Sequence, residues 1–285
     1  MLPLFTILFI VGSGVVDFGM AQSEPAGPAR VLVIGDSHLN GTFGLELHKQ
    51  LRTSEGGPDV TVVGSCGRWS KGWVEGHRAH CGLRWIEGEG DVRWGQGCKR
   101  NPCAKGDKSC REQPCRTPEI TQLLADQNPD VTVVQLGGNS LFRGSRKDRW
   151  KNVEPWVDAV AQAIVDSGSR CLWVTPPHGL NKSPRKMDRF RDFLRSTTAG
   201  RCAVFDSGPR ALPWLDYGKT ADAAKVLAGK QDRIHYDRLG RVGRQRMRRW
   251  ARLVATDAGR LLEPAGPLEV LVGFMDLADR TGDTM

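Results

Sequence analysis

The sequence predicts an α/β protein in which helices cover both faces of a mainly parallel sheet. Five short apolar runs, each bounded by turn residues, are strand candidates, and helix-like segments separate them. The runs VLVI, VTVV and VTVVQL are rich in β-branched residues and apolar on both faces, which is typical of parallel strands buried under helices. The alternation of strand and helix indicates a doubly wound sandwich. The predicted strands are residues 31–34, 60–63, 131–136, 171–174 and 202–205.

Helices are predicted between these strands. The triplet Thr117-Pro118-Glu119 provides a cap residue, a proline at the first helical position and an early acid, so a helix is expected to begin there. The other predicted helices are residues 152–167, 186–197 and 238–258.

The composition is that of a soluble globular protein with a basic surface. The chain has 285 residues, of which 39% are hydrophobic and 26% are charged, and its net charge is +9. Such a surface attracts polyanions such as nucleic acid, anionic lipid or acidic cell-wall polymer. No Lys or Arg run stands among stacking aromatics, so no nucleic-acid partner is expected. The Arg-rich stretch 241–252 is interpreted as an amphipathic helix with a solvated basic face.

Residues 1–21 are predicted to be a signal peptide. The apolar run LPLFTILFIVG has the length of a signal-peptide core and is short for a membrane span. Gly19 and Ala21 place small residues where a signal peptidase reads the chain. Because no Lys or Arg precedes the run, an uncleaved membrane anchor is the alternative. Cleavage would give a secreted or periplasmic protein without a stable membrane span.

Eight cysteines after a signal-like segment predict disulfides rather than free thiols. Zinc is the competing interpretation, but the C-x4-C spacings differ from the C-x2-C pairs of structural zinc sites. The pairing of the cysteines does not follow from the sequence. Six of them crowd into one stretch and two stand apart: Cys66, Cys81, Cys98, Cys103, Cys110 and Cys115, then Cys171 and Cys202.

Residues 68–116 interrupt the strand–helix alternation and are predicted to be a cysteine-rich insertion. The segment is rich in Gly, Cys and Trp and lacks a sustained period, which is typical of a functional loop or lid. We expect two of its four tryptophans to form a small core, and the others could stack on sugars. These tryptophans are Trp69, Trp73, Trp85 and Trp94.

Ser37 is the candidate nucleophile. It follows the first predicted strand in the motif Gly35-Asp36-Ser37, and ligands of doubly wound sheets bind beyond the carboxyl ends of the strands. We expect Ser37 to lie at the N-terminus of the next helix, where backbone N–H groups favour developing negative charge.

A serine nucleophile needs a base and an orienting carboxylate. The sequence Asp232-Arg233-Ile234-His235 offers both within one turn of chain, so Asp232 and His235 are the candidate pair. His178, which follows the fourth predicted strand, is the alternative base, although no carboxylate stands near it in the sequence. His38 is either structural or substrate-facing.

The oxyanion of an acyl-transfer reaction needs hydrogen-bond donors at the same rim of the sheet. Gly67 follows the second predicted strand and Asn139 the third, and both are candidate donors. Gly64 is the alternative to Gly67.

These residues, in this order, resemble the four sequence blocks of the SGNH (GDSL-like) hydrolase superfamily. The blocks are matched at Ser37 in GDS, Gly67 in CGRWS, Asn139 in GGNS, and Asp232 with His235 in DRIHYDRLG, across residues 30–253. The resemblance implies a three-layer α/β/α sandwich with a flavodoxin-like, mainly parallel five-stranded sheet. The hydrolase domain is then expected at residues 30–260, and residues 261–285 form a C-terminal tail.

The resemblance also implies a serine esterase that needs no metal or other cofactor. The expected substrate is an ester, and secretion and basic charge favour the O-acetyl groups of a glycan. Alternatives are an extracytoplasmic O-acyltransferase using the same site, a lipase or thioesterase, and a non-enzymatic glycan-binding module. One departure concerns Ser140, which stands where the family commonly has Asp after the asparagine.

Overall fold

The five predicted strands are present, each within two residues of its expected bounds. They are β1 (Arg30–Gly35), β2 (Asp59–Ser65), β5 (Val131–Gln135), β6 (Arg170–Val174) and β7 (Cys202–Phe205). The computed structural model describes residues 27–53, 57–77, 79, 82–94, 116–140, 150–177, 184–208 and 240–263. The predicted signal peptide and most of the predicted C-terminal tail lie outside these ranges.

Two antiparallel strands extend the sheet to seven. Strands β3 (Leu83–Glu87) and β4 (Asp91–Trp94) come from the segment predicted to be irregular, and the sheet order is β4-β3-β2-β1-β5-β6-β7. The five parallel strands, numbered by themselves, stand in the order 2-1-3-4-5, which is the flavodoxin-like order of doubly wound sheets. The predicted fold class is therefore confirmed, with two further strands at one edge.

Six helices are present in the described part of the chain. The helix predicted to begin at Thr117 starts three residues later, because the Thr117 hydroxyl is buried against Ser65 with 2.6 Å between the two oxygens, and Glu119 is extended. The helices are α1 (Thr42–Leu51), α2 (Ser70–Val74), α3 (Ile120–Gln127), α4 (Glu154–Asp166), α5 (Pro184–Thr198) and α6 (Gly240–Leu262). None of these helices is long and apolar enough to cross a membrane.

Alternating side chains of the central strand enter two separate cores. Val31 and Val33 pack on one side with helices α1 and α6, whereas Leu32 and Ile34 pack on the other side with helices α2 to α5. All four side chains are fully buried or nearly so. Burial on both faces explains why these strands are apolar at every position. The result is the expected three-layer sandwich.

Disulfides are present, as the cysteine count predicted. Cys171 and Cys202 are direct neighbours on β6 and β7 and are joined by a disulfide. Cys66, at the end of β2, is also disulfide-bonded, and its partner lies outside the described residues. The sequence indicated the disulfides but not the pairing, because pairing depends on which strands become neighbours.

Removing the Cys171–Cys202 bond is expected to lower the free energy of unfolding by about 3 kcal/mol, because the bond closes a long loop and restricts the unfolded chain. The two cysteines are separated by 31 residues in sequence. Urea unfolding of Cys171→Ala,Cys202→Ala measures this loss. Cys202→Ala alone should lose a similar amount, since either change removes the bond. An unchanged unfolding midpoint in both variants would contradict the assigned stabilising role.

Candidate active site

The site lies where the strand order reverses. Strand β1 has β2 on one side and β5 on the other, and ligands of such sheets bind beyond the carboxyl ends of the strands at this switch point. Three loops meet there: the nucleophile turn (residues 36–41), the glycine turn (residues 65–68) and the asparagine loop (residues 136–140). The motifs that the sequence singled out after the first three parallel strands therefore share one rim.

Ser37 lies in a tight turn that precedes helix α1. The backbone N–H groups of Leu39, Asn40 and Gly41 donate to the carbonyls three residues earlier, at 3.1, 3.2 and 3.2 Å. Helix α1 begins only at Thr42. The expectation that Ser37 starts this helix is therefore corrected, because a separate turn of i to i+3 hydrogen bonds intervenes. Ser37 is half-buried, between the buried residues Asp36 and His38.

The nucleophile turn is anchored to the neighbouring strands from both sides. On the β5 side, the Asp36 N–H donates to the Gln135 carbonyl at 3.2 Å. On the β3 side, Arg84 donates from Nη1 to the Asn40 carbonyl at 2.7 Å, and Asn40 Nδ2 donates to the Gly82 carbonyl at 3.2 Å. The extra antiparallel strand thus helps to fix the turn that carries Ser37.

Gly64 lies directly against the nucleophile turn. It is inside strand β2, paired with Gly35, and a Cβ atom placed on it would overlap Asn40 Oδ1 and lie 2.9 Å from Leu39 Cβ. The absence of a side chain lets the turn pack directly on β2. The alternative assignment of Gly64 as an oxyanion donor stays a prediction.

Gly64→Ala is expected to lower kcat by about 10- to 100-fold, because the new methyl group displaces the nucleophile turn and small misplacements of reacting groups are costly. Ester hydrolysis kinetics measure the effect. Gly259→Ala is the matched control, since a Cβ at that helical position meets no atom within 4 Å. Full activity of Gly64→Ala would show that the contact does not position Ser37.

Gly67 and Asn139 are brought together at the rim. The Arg68 N–H donates to the Ser65 carbonyl at 3.2 Å, and Gly67 has φ of 75°, which fits the third position of a type II turn. Asn139 Nδ2 donates to the Arg68 carbonyl at 2.9 Å. Because an amide nitrogen carries two hydrogens, this bond orients the Asn139 side chain and leaves a second hydrogen for a ligand. The sequence predicted Gly67 and Asn139 as oxyanion donors. In the structure, the hydrogen bond to the Arg68 carbonyl holds the Asn139 side chain next to the Gly67 turn.

The burial of Ser140 explains why this chain has a serine where the family commonly has an aspartate. Its side chain is 1% exposed, and its hydroxyl has no hydrogen-bond partner among the described residues. An ionised carboxylate at this position would be buried and costly without a partner. A small, neutral residue therefore suits the asparagine loop of this chain.

The sequence did not reveal a buried Asp–His pair that flanks Ser37. Asp36 Oδ1 accepts hydrogen bonds from the His38 backbone N–H at 3.1 Å and from His38 Nδ1 at 2.9 Å. Both side chains are nearly inaccessible, and the Trp250 indole packs edge-on against the His38 ring at 5.8 Å between centroids. Of the two readings left open for His38, the structural one fits its burial. The D-x-H spacing was the only sequence signal for this pair.

The remaining site residues lie outside the described residues. These are the predicted base His235, its partner Asp232, and the alternative base His178. The assignment of the base therefore stays a prediction.

Two of the four insertion tryptophans belong to the core. Trp69 is 9% exposed and Trp73 is fully buried, and both pack with the core on the α2 to α5 side of the sheet. Trp85 on β3 is half-buried at the margin of the same core. The expectation that two of these residues form a core agrees with this burial, and Trp69 and Trp73 are not available for stacking on a sugar.

Comparison with known proteins gives only distant likenesses. No protein-family model and no curated protein matches the sequence. Solved structures similar to the chain include a catalytic mutant of an acetylxylan esterase from Geobacillus stearothermophilus, with 14% identity, a TM-score of 0.49, and coverage of 82% of this chain and 96% of that chain. A peptidoglycan O-acetylesterase has 14% identity, a TM-score of 0.46 and coverage of 83% and 92%. TesA has 18% identity, a TM-score of 0.45 and coverage of 82% and 98%.

The order of the parallel strands, the helical layers on both faces and the position of the three motif loops are properties of the chain itself. Together they show a doubly wound α/β sandwich with the flavodoxin-like strand order.

Proposed function

We propose that this protein is a secreted serine esterase of the SGNH type that removes O-acetyl groups from a glycan. The observation that carries the proposal is the hydrogen bond between Asn139 Nδ2 and the Arg68 carbonyl. It holds an amide donor beside the Gly67 turn, at the rim where the Ser37 turn also lies. A serine with preorganised donors beside it is the arrangement that acyl transfer requires.

In the proposed mechanism, Ser37 Oγ attacks the carbonyl carbon of the ester. His235 accepts the hydroxyl proton, and Asp232 orients the ring and stabilises the imidazolium. The oxyanion receives hydrogen bonds from the Ser37 and Gly67 N–H groups and from the Asn139 amide. His235 returns the proton to the departing alcohol, and water attacking the acyl-enzyme then releases the acid and restores Ser37.

The arrangement of donors favours an enzyme over a binding module. A protein that only holds a glycan needs neither a serine in an anchored turn nor an amide fixed beside a glycine turn with φ of 75°. The substrate class rests on the predicted signal peptide and the net charge of +9.

A series of p-nitrophenyl esters, from acetyl to octanoyl, tests the reaction class and the acyl preference. The proposal expects acetate to be the best substrate, and acetylated xylan to release free acetate. A preference for long acyl chains would instead indicate a lipase or thioesterase. Recovery of the acetyl group on an added sugar, with little free acetate, would indicate an acyltransferase. No turnover of any ester would contradict the enzyme assignment.

Asn139→Ala is expected to lower kcat by about 100-fold or more, with a much smaller change in KM, because the lost hydrogen bond strengthens as charge develops on the oxygen. Steady-state hydrolysis of p-nitrophenyl acetate measures both constants. Asn152→Ala is the matched control, since Asn152 is exposed before helix α4. Equal effects of the two substitutions, or a change confined to KM, would argue against an oxyanion role.

A further inference from the structure

Helix α6 has a high net positive charge. Its sequence GRVGRQRMRRWARLVATDAGRLL contains seven arginines and one aspartate, a net charge of +6 against +9 for the whole chain. The sequence prediction was a solvated basic face, which would have no binding role. The arrangement of the arginines is more specific than that prediction.

Five of the seven arginines form a stripe on the outer face of the helix. At about 100° per residue, positions 241, 248 and 252 fall within about 40° of one another, and Trp250 falls on the opposite face. The Arg241, Arg248 and Arg252 side chains are exposed, whereas Trp250 is fully buried. Arg244 and Arg249 are also exposed and flank this line. We call Arg241, Arg244, Arg248, Arg249 and Arg252 the arginine stripe.

Within the part of the chain that the structure describes, only one member of the stripe has an acidic partner. Arg248 Nε pairs with Glu46 Oε1 of helix α1 at 2.8 Å. No carboxylate within salt-bridge distance pairs with the other four members in the described structure. The only acidic residue of the helix, Asp257, pairs with Arg260 one turn further on. A solvated surface helix usually intersperses both signs of charge, whereas this face presents one sign.

A shallow groove of about 490 Å³ runs along the same face. Its lining consists of Arg248, Arg249 and Arg252 with Gln245 and the partly buried Leu253. The guanidinium groups can bind carboxylates in a bidentate manner, and Gln245 can donate to or accept from hydroxyl groups. Leu253 adds a small apolar surface. Repeated acidic groups, hydroxyls and weakly apolar ring faces occur together in an acidic polysaccharide.

We propose that the arginine stripe is a docking site for an acidic polysaccharide. A single-stranded nucleic acid is a poorer fit, because Trp250 is the only aromatic residue of the helix and is buried, so the stripe offers no stacking platform. A lipid surface is also a poorer fit, because the side chains of the stripe are charged and the Leu253 side chain is half-buried.

Helix α6 joins the stripe to the proposed catalytic site through its two faces. Its inner face places Trp250 against His38 of the nucleophile turn, with 5.8 Å between the ring centroids, and its outer face carries the stripe. A polymer held on the stripe would therefore lie on the same helix that packs against the nucleophile turn. The assignment of this polymer as the enzyme's substrate rests on the proposed function, whereas the docking itself does not.

Binding of the mature protein to immobilised polygalacturonate tests the docking site, with dextran as the neutral polymer. The stripe variant is Arg244→Gln,Arg249→Gln,Arg252→Gln. The control variant is Arg116→Gln,Arg185→Gln,Arg189→Gln, which removes the same charge from exposed positions on other elements. Unfolding temperatures are first compared with the wild type, and all six side chains are exposed, so no loss of fold is expected.

The wild type is expected to bind polygalacturonate but not dextran, and to weaken as salt is raised. The stripe variant should lose on the order of 100-fold in affinity, and the control less than about 3-fold. Equal losses in both variants, or absence of binding by the wild type, would overturn the docking site. Tighter binding of a DNA duplex or of anionic vesicles through the same arginines would overturn the choice of partner.

Hydrolysis of p-nitrophenyl acetate by the wild type is measured alongside. Turnover without polymer binding would refute the docking site and leave the esterase proposal standing. Polymer binding without turnover of any ester would refute the esterase proposal and leave the docking site standing.

Discussion

Ser37→Ala is expected to lower kcat for p-nitrophenyl acetate by about 10⁴-fold or more, because no other group can form the acyl-enzyme. Ser37 lies in the turn that joins β1 to α1, and the turn is held by its own backbone bonds and by Arg84. Loss of the hydroxyl should leave this scaffold in place. The variant should therefore unfold like the wild type while failing to turn over ester.

The matched control is Ser196→Ala on the exposed face of helix α5, where the Ser196 hydroxyl donates to the Phe193 carbonyl. It should retain wild-type kcat. More than about a tenth of wild-type activity in Ser37→Ala would contradict the assignment of the nucleophile.

His235→Ala is expected to have an effect of similar size, since a serine without its base is a weak nucleophile. The fall of kcat/KM at acidic pH should also disappear in this variant, because that fall reports protonation of the base in the free enzyme. His77→Ala serves as the control, because His77 is partly exposed and pairs with Glu75 on helix α2's C-terminal side.

Two other histidines decide how this result is interpreted. His178→Ala should retain most activity if His235 is the base. If His178→Ala loses activity and His235→Ala does not, His178 is the base instead. His38→Ala should lower kcat by disturbing the Asp36 bond but keep the fall of kcat/KM at acidic pH, because His38 is buried against Asp36 and Trp250. Loss of that fall in His38→Ala would instead make the Asp36–His38 pair the base.

The sequence predicted the parallel sheet because burial on both faces leaves a direct signature. The runs around Val31, Val60 and Val131 are apolar at consecutive positions, and the described strands bury those positions. Strands β3 and β4 were missed because neither has the run of apolar residues that marks a strand buried on both faces. Strand β3 mixes apolar and charged residues, and the described side chains of β4 are exposed. A local pattern carries no information on which strand will lie beside another.

The sequence predicted which loops meet at the candidate site, but it did not predict the contacts that their atoms make. Gly64 and Gly67 are both glycines near the end of the same predicted strand, so the sequence does not distinguish their roles. The difference between them is a backbone angle at Gly67 and a steric contact at Gly64, and both depend on the folded chain. The Asp36–His38 bond was unpredictable for the same reason, since it requires the turn geometry that carries the His38 ring back over Asp36.

Labelling with a fluorophosphonate, followed by mass-spectrometric location of the adduct, tests the central assignment most directly because it needs no knowledge of the natural substrate. The account predicts one adduct, on Ser37, with loss of esterase activity in proportion to labelling and no adduct in Ser37→Ala. An adduct on another residue, or full activity in protein whose Ser37 is labelled, would contradict it.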